Sequence, residues 1–146
     1  MSADANDVAD LFRPRFTQRF ADFMGFELIR WIPDEVEIAM TLQRHHQNPT
    51  GAAHGGVMLA LLDTAVTLAG CWAPSLEERR TAVTLSLGTT FVAAPVGDRL
   101  IVIGRKRGGG RRVYMATAEV MDADGRLIAI GEGALSYRTT RPDPKS

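Results

Sequence analysis

One stretch of this chain, from Val57 to Trp72, runs for 16 residues with Asp63 as its single charge. It is long enough for a helix, and a helix apolar on nearly every side has to be covered on nearly every side. The run falls short of the roughly 20 apolar residues that cross a bilayer, so the cover must be protein. At 146 residues the chain has room for one core and not for two. The remaining segments therefore have to wrap this helix, and their patterning shows how.

From Phe26 the apolar period becomes two. Phe26 to Trp31 and then Val36, Ile38, Met40 and Leu42, alternating with Glu35, Glu37, Ala39 and Thr41, predict a hairpin turned at Pro33-Asp34 with one buried face. After the helix, strand-like runs occupy 82–92, 99–107, 111–121 and 126–137. Gly108-Gly109-Gly110 joins the second to the third, and Asp122-Ala123-Asp124-Gly125 turns into the last. Short links mean antiparallel pairing. The expected fold is α+β, a long central helix wrapped by a curved antiparallel sheet of about six strands, with the domain spanning 26–138. One small sheet covers only part of such a helix, so a second copy of the chain is the expected cover for the rest. Residues 1–25 read as a polar tail and a short amphipathic helix marked by Phe12, Phe16, Phe20 and Phe23; residues 139–146 read as a C-terminal tail.

Seventeen Lys and Arg balance seventeen Asp and Glu, so the chain lacks the basic excess that draws proteins to nucleic acid or anionic membranes. Neither is expected as a partner. A lone cysteine, Cys71, and an acidic start without an apolar signal core make a cytoplasmic location the expectation.

An ionised carboxylate in an apolar helix loses its hydration and needs hydrogen bonds, a counter-charge or a chemical task to hold it there. Immediately upstream stands Asn48-Pro49-Thr50-Gly51-Ala52-Ala53-His54-Gly55-Gly56, so the helix opens on two glycines. A helix start presents unpaired N–H groups and a positive dipole end, and glycine leaves that backbone open to a ligand. The Asn48 amide and the His54 imidazole complete a candidate hole for the oxygen of a polarised carbonyl. Taken singly, the glycines read as a turn and His54 as a loop residue; the conjunction points to chemistry. His45, His46 and His54 lack the spacing of a metal set on one element, and no metal or cofactor is expected. Cys71, near the C-terminal end of the helix, reads as packing, because the dipole there disfavours a thiolate.

The spacing His46-x-Asn48-x-x-Gly51-x-x-His54-Gly55-Gly56, then six residues and Asp63, resembles the signature of hotdog-fold acyl-CoA thioesterases of the phenylacetate-degradation type. The likeness runs from about residue 24 to 137. It implies that the backbone N–H of Gly55 polarises a thioester carbonyl, with Asn48 and His54 beside it and Gly56 in contact with substrate. It further implies that Asp63, as nucleophile or general base, comes from the opposite subunit of a homodimer, itself expected to pair into a dimer of dimers. Thr84 is the nearest match to a water-holding hydroxyl early in the following strand, and Ser86 is expected on the same side. Where the family usually has a phenylalanine, a long or basic residue and a nearer proline, this chain has Phe91-Val92-Ala93-Ala94-Pro95, with one extra residue and no cation.

The tip Arg105-Lys106-Arg107-Gly108-Gly109-Gly110-Arg111-Arg112 concentrates five cations in a chain of zero net charge. It reads either as a solvated hairpin or as a clamp in which Arg105, Arg107, Arg111 and Arg112 take the phosphates of coenzyme A. The activity implied is hydrolysis of an aryl-acyl or medium-chain acyl-CoA. The alternatives are a non-catalytic acyl-CoA-binding protein and a hydratase or dehydratase, which would want a His and an acidic partner set for proton shuttling.

Overall fold

A computed structural model describes residues 4–138; the expected tail at 139–146 lies outside them. Two short helices, α1 (Ala9–Phe12) and α2 (Phe20–Met24), precede the hairpin β1 (Glu27–Ile32) and β2 (Glu35–Thr41). The long helix α3 (Gly55–Ala69) follows, and then β3 (Thr81–Phe91), β4 (Arg99–Gly109), β5 (Val113–Asp122) and β6 (Leu127–Arg138). All six strands form one antiparallel sheet in the order β1-β2-β4-β5-β6-β3. The strand that follows the helix thus lands at the far edge.

Leu61, Leu62, Ala65, Val66 and Ala69 of α3 are fully buried against the inner sheet residues Val36, Ile38, Met40, Leu100, Val102, Val120 and Leu135. Each large aliphatic chain buried this way contributes about 1.5–3 kcal/mol. Helix and sheet meet closely because Gly104 carries no side chain: a Cβ there would stand 2.5 Å from the carbonyl oxygen of Ala65. Gly109 is required at the β4–β5 tip, where φ is 135° and a Cβ would collide with the Tyr114 backbone. The other turns form as their sequences indicate, with Asp34 at φ 63° and Gly125 at φ 79°. The last turn is held by buried Asp122, whose carboxylate accepts from the backbone N–H groups of Val96, Asp124 and Arg126. Those bonds, Val96's foremost, keep its carboxyl below the ordinary aspartate value.

The C-terminal end of α3 is gripped from three strands. Trp31 Nε1 donates to Leu68 O at 2.9 Å, the Tyr114 hydroxyl to Thr67 O at 2.7 Å and the Tyr137 hydroxyl to Gly70 O at 2.8 Å. Carbonyls that a helix end leaves unpaired are thereby satisfied in the interior.

The N-terminal segment departs from the expected single amphipathic helix. Its phenylalanines fall on α1, a 3-10 turn at Arg13–Phe16 and α2, separated by extended Thr17 and by Gln18 at φ 57°. Phe12 is buried edge-on against Trp31 at 5.0 Å between ring centres, whereas Phe20 and Phe23 are exposed. Four aromatic residues at helical spacing were not enough, because Pro14 favours a new start and the left-handed residue breaks the hydrogen-bond ladder.

Candidate active site

The loop before α3 is closed on itself. His54 N–H donates to His46 O at 2.8 Å, and Asn48 pairs with Ala52 through its backbone N–H at 2.8 Å. The side-chain oxygen of Asn48 accepts from Thr50 N–H, the Thr50 hydroxyl and Ala52 N–H at 3.0, 2.6 and 3.1 Å. With its oxygen fully engaged, the amide has only its NH2 left to offer, which fixes it as a donor. His54 caps the helix: its Nδ1 accepts from Gly56 N–H at 2.8 Å, which puts the ring proton on Nε2. Val57 N–H goes to His54 O, so among the described residues Gly55 N–H is the group in this first turn without an acceptor. The ring of Phe91 lies against Gly55, with Cζ 3.3 Å from where a Cβ would stand, and so walls one side of that N–H. Buried His46 supports the loop from below, its Nδ1 accepting from Gln43 N–H at 2.8 Å. Burial, with the neighbouring His45, holds its imidazole below the ordinary value.

Asp63 sits on the flank of α3 that the sheet leaves uncovered, half-buried beside the edge strand β3. Its Oδ1 accepts from the Thr84 hydroxyl at 2.6 Å. The register explains why Thr84 alone is available. Thr84 pairs with Leu135 and Ser86 with Ala134, so Leu85 is an extra residue in a β-bulge. Residues on either side of the bulge therefore face opposite ways: Thr84 shares the helix side with buried Leu135, and Ser86 lies with Ala134 on the outer side. The expectation that Ser86 shares the side of Thr84 is corrected by this bulge. Asp63, Thr67, Ala82 and Thr84 border a groove of about 440 Å³.

A half-buried carboxylate braced by a hydroxyl, and a helix start with one unspent N–H, are the two parts that acyl transfer needs: something to deliver an oxygen nucleophile and something to hold an oxyanion. The profile of the thioesterase superfamily matches residues 50–129, which contain both. The chain belongs to the thioesterase superfamily. A Pseudomonas aeruginosa protein described as a candidate esterase is 32% identical over 130 residues, 87% of this chain and 95% of the relative. Mouse acyl-coenzyme A thioesterase 13 is 24% identical over 106 residues, 71% of this chain and 74% of the mouse protein. Among solved structures, a mutant of the phenylacetic acid degradation protein PaaI from Thermus thermophilus superposes with a TM-score of 0.69 at 27% identity, covering 80% of this chain and 96% of that one. The architecture is accordingly the hotdog fold, and the protein is a thioester hydrolase.

In this thioesterase the two parts do not meet within one chain. Gly55 and Asp63 are eight residues apart on one helix, about 12 Å along its axis at 1.5 Å per residue.

The hairpin arginines also separate. Arg105 Nε is 3.0 Å from Glu35 Oε2, and Arg107 Nε donates to the Thr117 hydroxyl at 2.7 Å, both on the outer sheet face. Arg111 and Arg112 stand at the tip, where they meet Arg79, Arg80 and Arg138, three residues that reading the hairpin as one cluster did not single out. Cys71 is buried with Sγ 3.7 Å from the Tyr114 hydroxyl, and burial pushes its thiol up, as suits a packing residue. Among the described residues no three His, Cys, Asp or Glu side chains gather as a metal site, and no helix is long and apolar enough to cross a membrane.

Proposed function

We propose that this thioesterase hydrolyses an aryl-acyl or medium-chain acyl-CoA to the free acid and coenzyme A, in sites shared between two copies of the chain. The observation that carries the reading is the braced carboxylate: Asp63, 2.6 Å from the Thr84 hydroxyl, opens into a groove on an uncovered helix flank and lies a full 12 Å or so from its own Gly55 N–H. A second copy is needed to bring a helix start opposite that carboxylate. The means of pairing is present in β3, an 11-residue edge strand bonded on one side to β6, which presents its other side for a twin strand. A further pairing of such dimers belongs to the same reading. A cytoplasmic setting fits as well, since a free thiol such as Cys71 persists in a reducing compartment.

In the composite site Gly55 N–H and the Asn48 NH2 receive the developing oxyanion, with His54 holding the helix start in shape through Gly56. Asp63 of the partner either attacks the carbonyl carbon itself, giving an anhydride that water afterwards hydrolyses to free acid and restored carboxylate, or takes a proton from a water that attacks instead. The C–S bond then breaks and the thiolate leaves without a strong general acid, being a good leaving group. The Thr84 hydroxyl orients the carboxylate for either route. The acyl choice draws on the kinship with a phenylacetic acid degradation protein and an acyl-coenzyme A thioesterase.

Thiol release from phenylacetyl-CoA and a series of straight-chain acyl-CoAs tests the activity, and Asp63→Asn lowers kcat on the order of a hundredfold or more with little change in KM. Subunit sharing is tested by co-expressing Asn48→Ala with Asp63→Asn. Each alone is nearly inactive. About half the dimers are mixed and each of those holds one intact site of two, so about a quarter of normal activity returns. Mixed dimers with no recovered activity would reject the shared site.

A further inference from the structure

The turn that leads to Asn48 is built on one buried ring. Gln43 and His46 cap it reciprocally: the Gln43 side chain accepts from His46 N–H, and His46 Nδ1 accepts from Gln43 N–H at 2.8 Å. His46 is 1% exposed. A ring nitrogen that accepts carries no proton, so the proton is on Nε2, which makes no hydrogen bond among the described residues. The ring thus has one bond, and that bond needs the neutral form.

From this turn a chain of contacts runs to the start of α3. His46 O accepts from His54 N–H at 2.8 Å, Gln47 pairs with Ala53, and Asn48 N–H donates to Ala52 O. His54 in turn caps Gly56, next to the Gly55 N–H. Moving the turn therefore moves Asn48 and His54 together. Beneath it is a cavity of about 400 Å³, walled by α2, the start of β1 and the end of β2, so packing on that side does not hold the turn in place.

A proton added at Nδ1 removes the acceptor of Gln43 N–H and leaves a buried imidazolium without a hydrogen-bonded carboxylate. Asp22 on α2 and Glu27 on β1 line the cavity, but Asp22 Oδ2 accepts from Gln18 N–H at 3.2 Å and Glu27 is paired with Arg99. The end of β2 brings only uncharged Thr41 to the cavity. The turn itself holds Arg44 and His45, whose ring centre is 4.0 Å from that of His46, and His54 stands across the loop. Burial first and His45 second outweigh the Met24 carbonyl and hold the His46 ring below the ordinary histidine value. Because the folded ring is the weaker base, its bond is intact at neutral pH and is lost as pH falls below the ordinary value and through the folded one.

We infer that His46 is a positioning residue for the reaction: its neutral ring latches the loop bearing Asn48 and His54 to the start of α3, and proton uptake by the ring releases it. His46 acts through those two residues and not on substrate.

This inference rests on the reading of Asn48 and Gly55 as the oxyanion contact, and its test separates the two. Asparagine places its oxygen about where Nδ1 stands and does not titrate, glutamine places its oxygen further out, and alanine has none. On the acyl-CoA that the wild type cleaves fastest, at about pH 7.5, His46→Asn keeps kcat within about threefold of wild type, whereas His46→Gln and His46→Ala lose about tenfold or more. From about pH 6.5 to about 4.5 the wild type loses kcat relative to His46→Asn by about threefold or more, a component that acid acting on Asp63 or His54 does not give, since both chains share it. Over the same range the Gln43 and His54 amides lose protection against hydrogen exchange in the wild type and keep it in His46→Asn. Equal pH profiles for wild type and His46→Asn overturn the latch, as does a glutamine variant as active as the asparagine one, a contrast that stands even if His46→Ala fails to fold. If no thioester is cleaved at any pH, the acyl-CoA reading fails and the two amides judge the latch alone. Protection lost in acid by the wild type only upholds it, and protection alike in both chains overturns it.

Discussion

The sheet has two edges, and the chain treats them oppositely. At β1 the N-terminal segment seals the edge. Val8 N–H donates to Trp31 O at 2.9 Å, the Asp7 carboxylate accepts from Trp31 N–H at 2.8 Å, and Arg13 Nε donates to Leu28 O at 2.8 Å. At β3 nothing among the described residues covers the outward backbone along 11 residues, and Val83 and Leu85 stand exposed, Leu85 at 58%. An uncovered strand of that length invites pairing and is normally blunted. Blunting one edge and leaving the other open directs association to a single place. The open edge also carries Thr84 and borders the Asp63 groove, so in the proposed pairing the site and the surface for a second copy are one region.

The comparison breaks most severely if association at β3 is unnecessary. Val83→Lys/Leu85→Lys adds two charges per chain, and an isologous pairing would gather four lysines in one patch. The expected result is a monomer by light scattering with activity down about a hundredfold or more; an active monomer would dissolve the link between edge and site. A smaller effect sharpens it. Thr84→Val removes the hydroxyl from Asp63 and keeps the strand's shape, with kcat down about tenfold, folding intact and the dimer unchanged. The smallest concerns the sealed edge. Asp7→Ala frees the N–H groups of both Trp31 and Ala9 and costs about 1–2 kcal/mol of stability in urea unfolding, while kcat and dimerisation stay as they were.

What could be read in the residues divides along similar lines. The alternation in β2, the apolar run of α3 and the Asp122–Gly125 turn are local signals that tertiary contacts reinforce, and element order followed from them. The Asn48, Gly55 and Asp63 spacing identified the family because it depends on one loop and one helix. The bulge at Leu85 has no local mark, since neither glycine nor proline stands there; it exists through the pairing with β6, and with it went the side assigned to Ser86. The hairpin arginines were misgrouped for the same reason. Arg105 lies opposite Thr117 and Lys106 opposite Ala116, so alternation puts Arg105 and Arg107 on the outer face, and an irregularity between Lys106 and Gly108 then shifts the tip that carries Arg111 and Arg112 out of that alternation. Arg79 and Arg80 join Arg111 and Arg112 across some thirty residues of chain, a proximity only the sheet order creates. The break in the N-terminal segment, by contrast, had a local mark in Pro14, which the regular spacing of the phenylalanines overrode in the reading.

The grip of Trp31, Tyr114 and Tyr137 on the end of α3 makes the helix a lever clamped at one end. Three strands hold the carbonyls of its last turn by side-chain hydrogen bonds, whereas its first turn is held by the imidazole of His54, by its loop and by the packing of Val57 and Met58. A rod fixed in this way would yield first at the opposite end, so in the proposed site a bulky acyl chain would be accommodated around Gly55 and Gly56 before it disturbed Asp63. In a pair of chains set head against tail, each fixed carboxylate would then face the yielding end of the other lever, so the two halves of a site could adjust to a substrate without either core repacking.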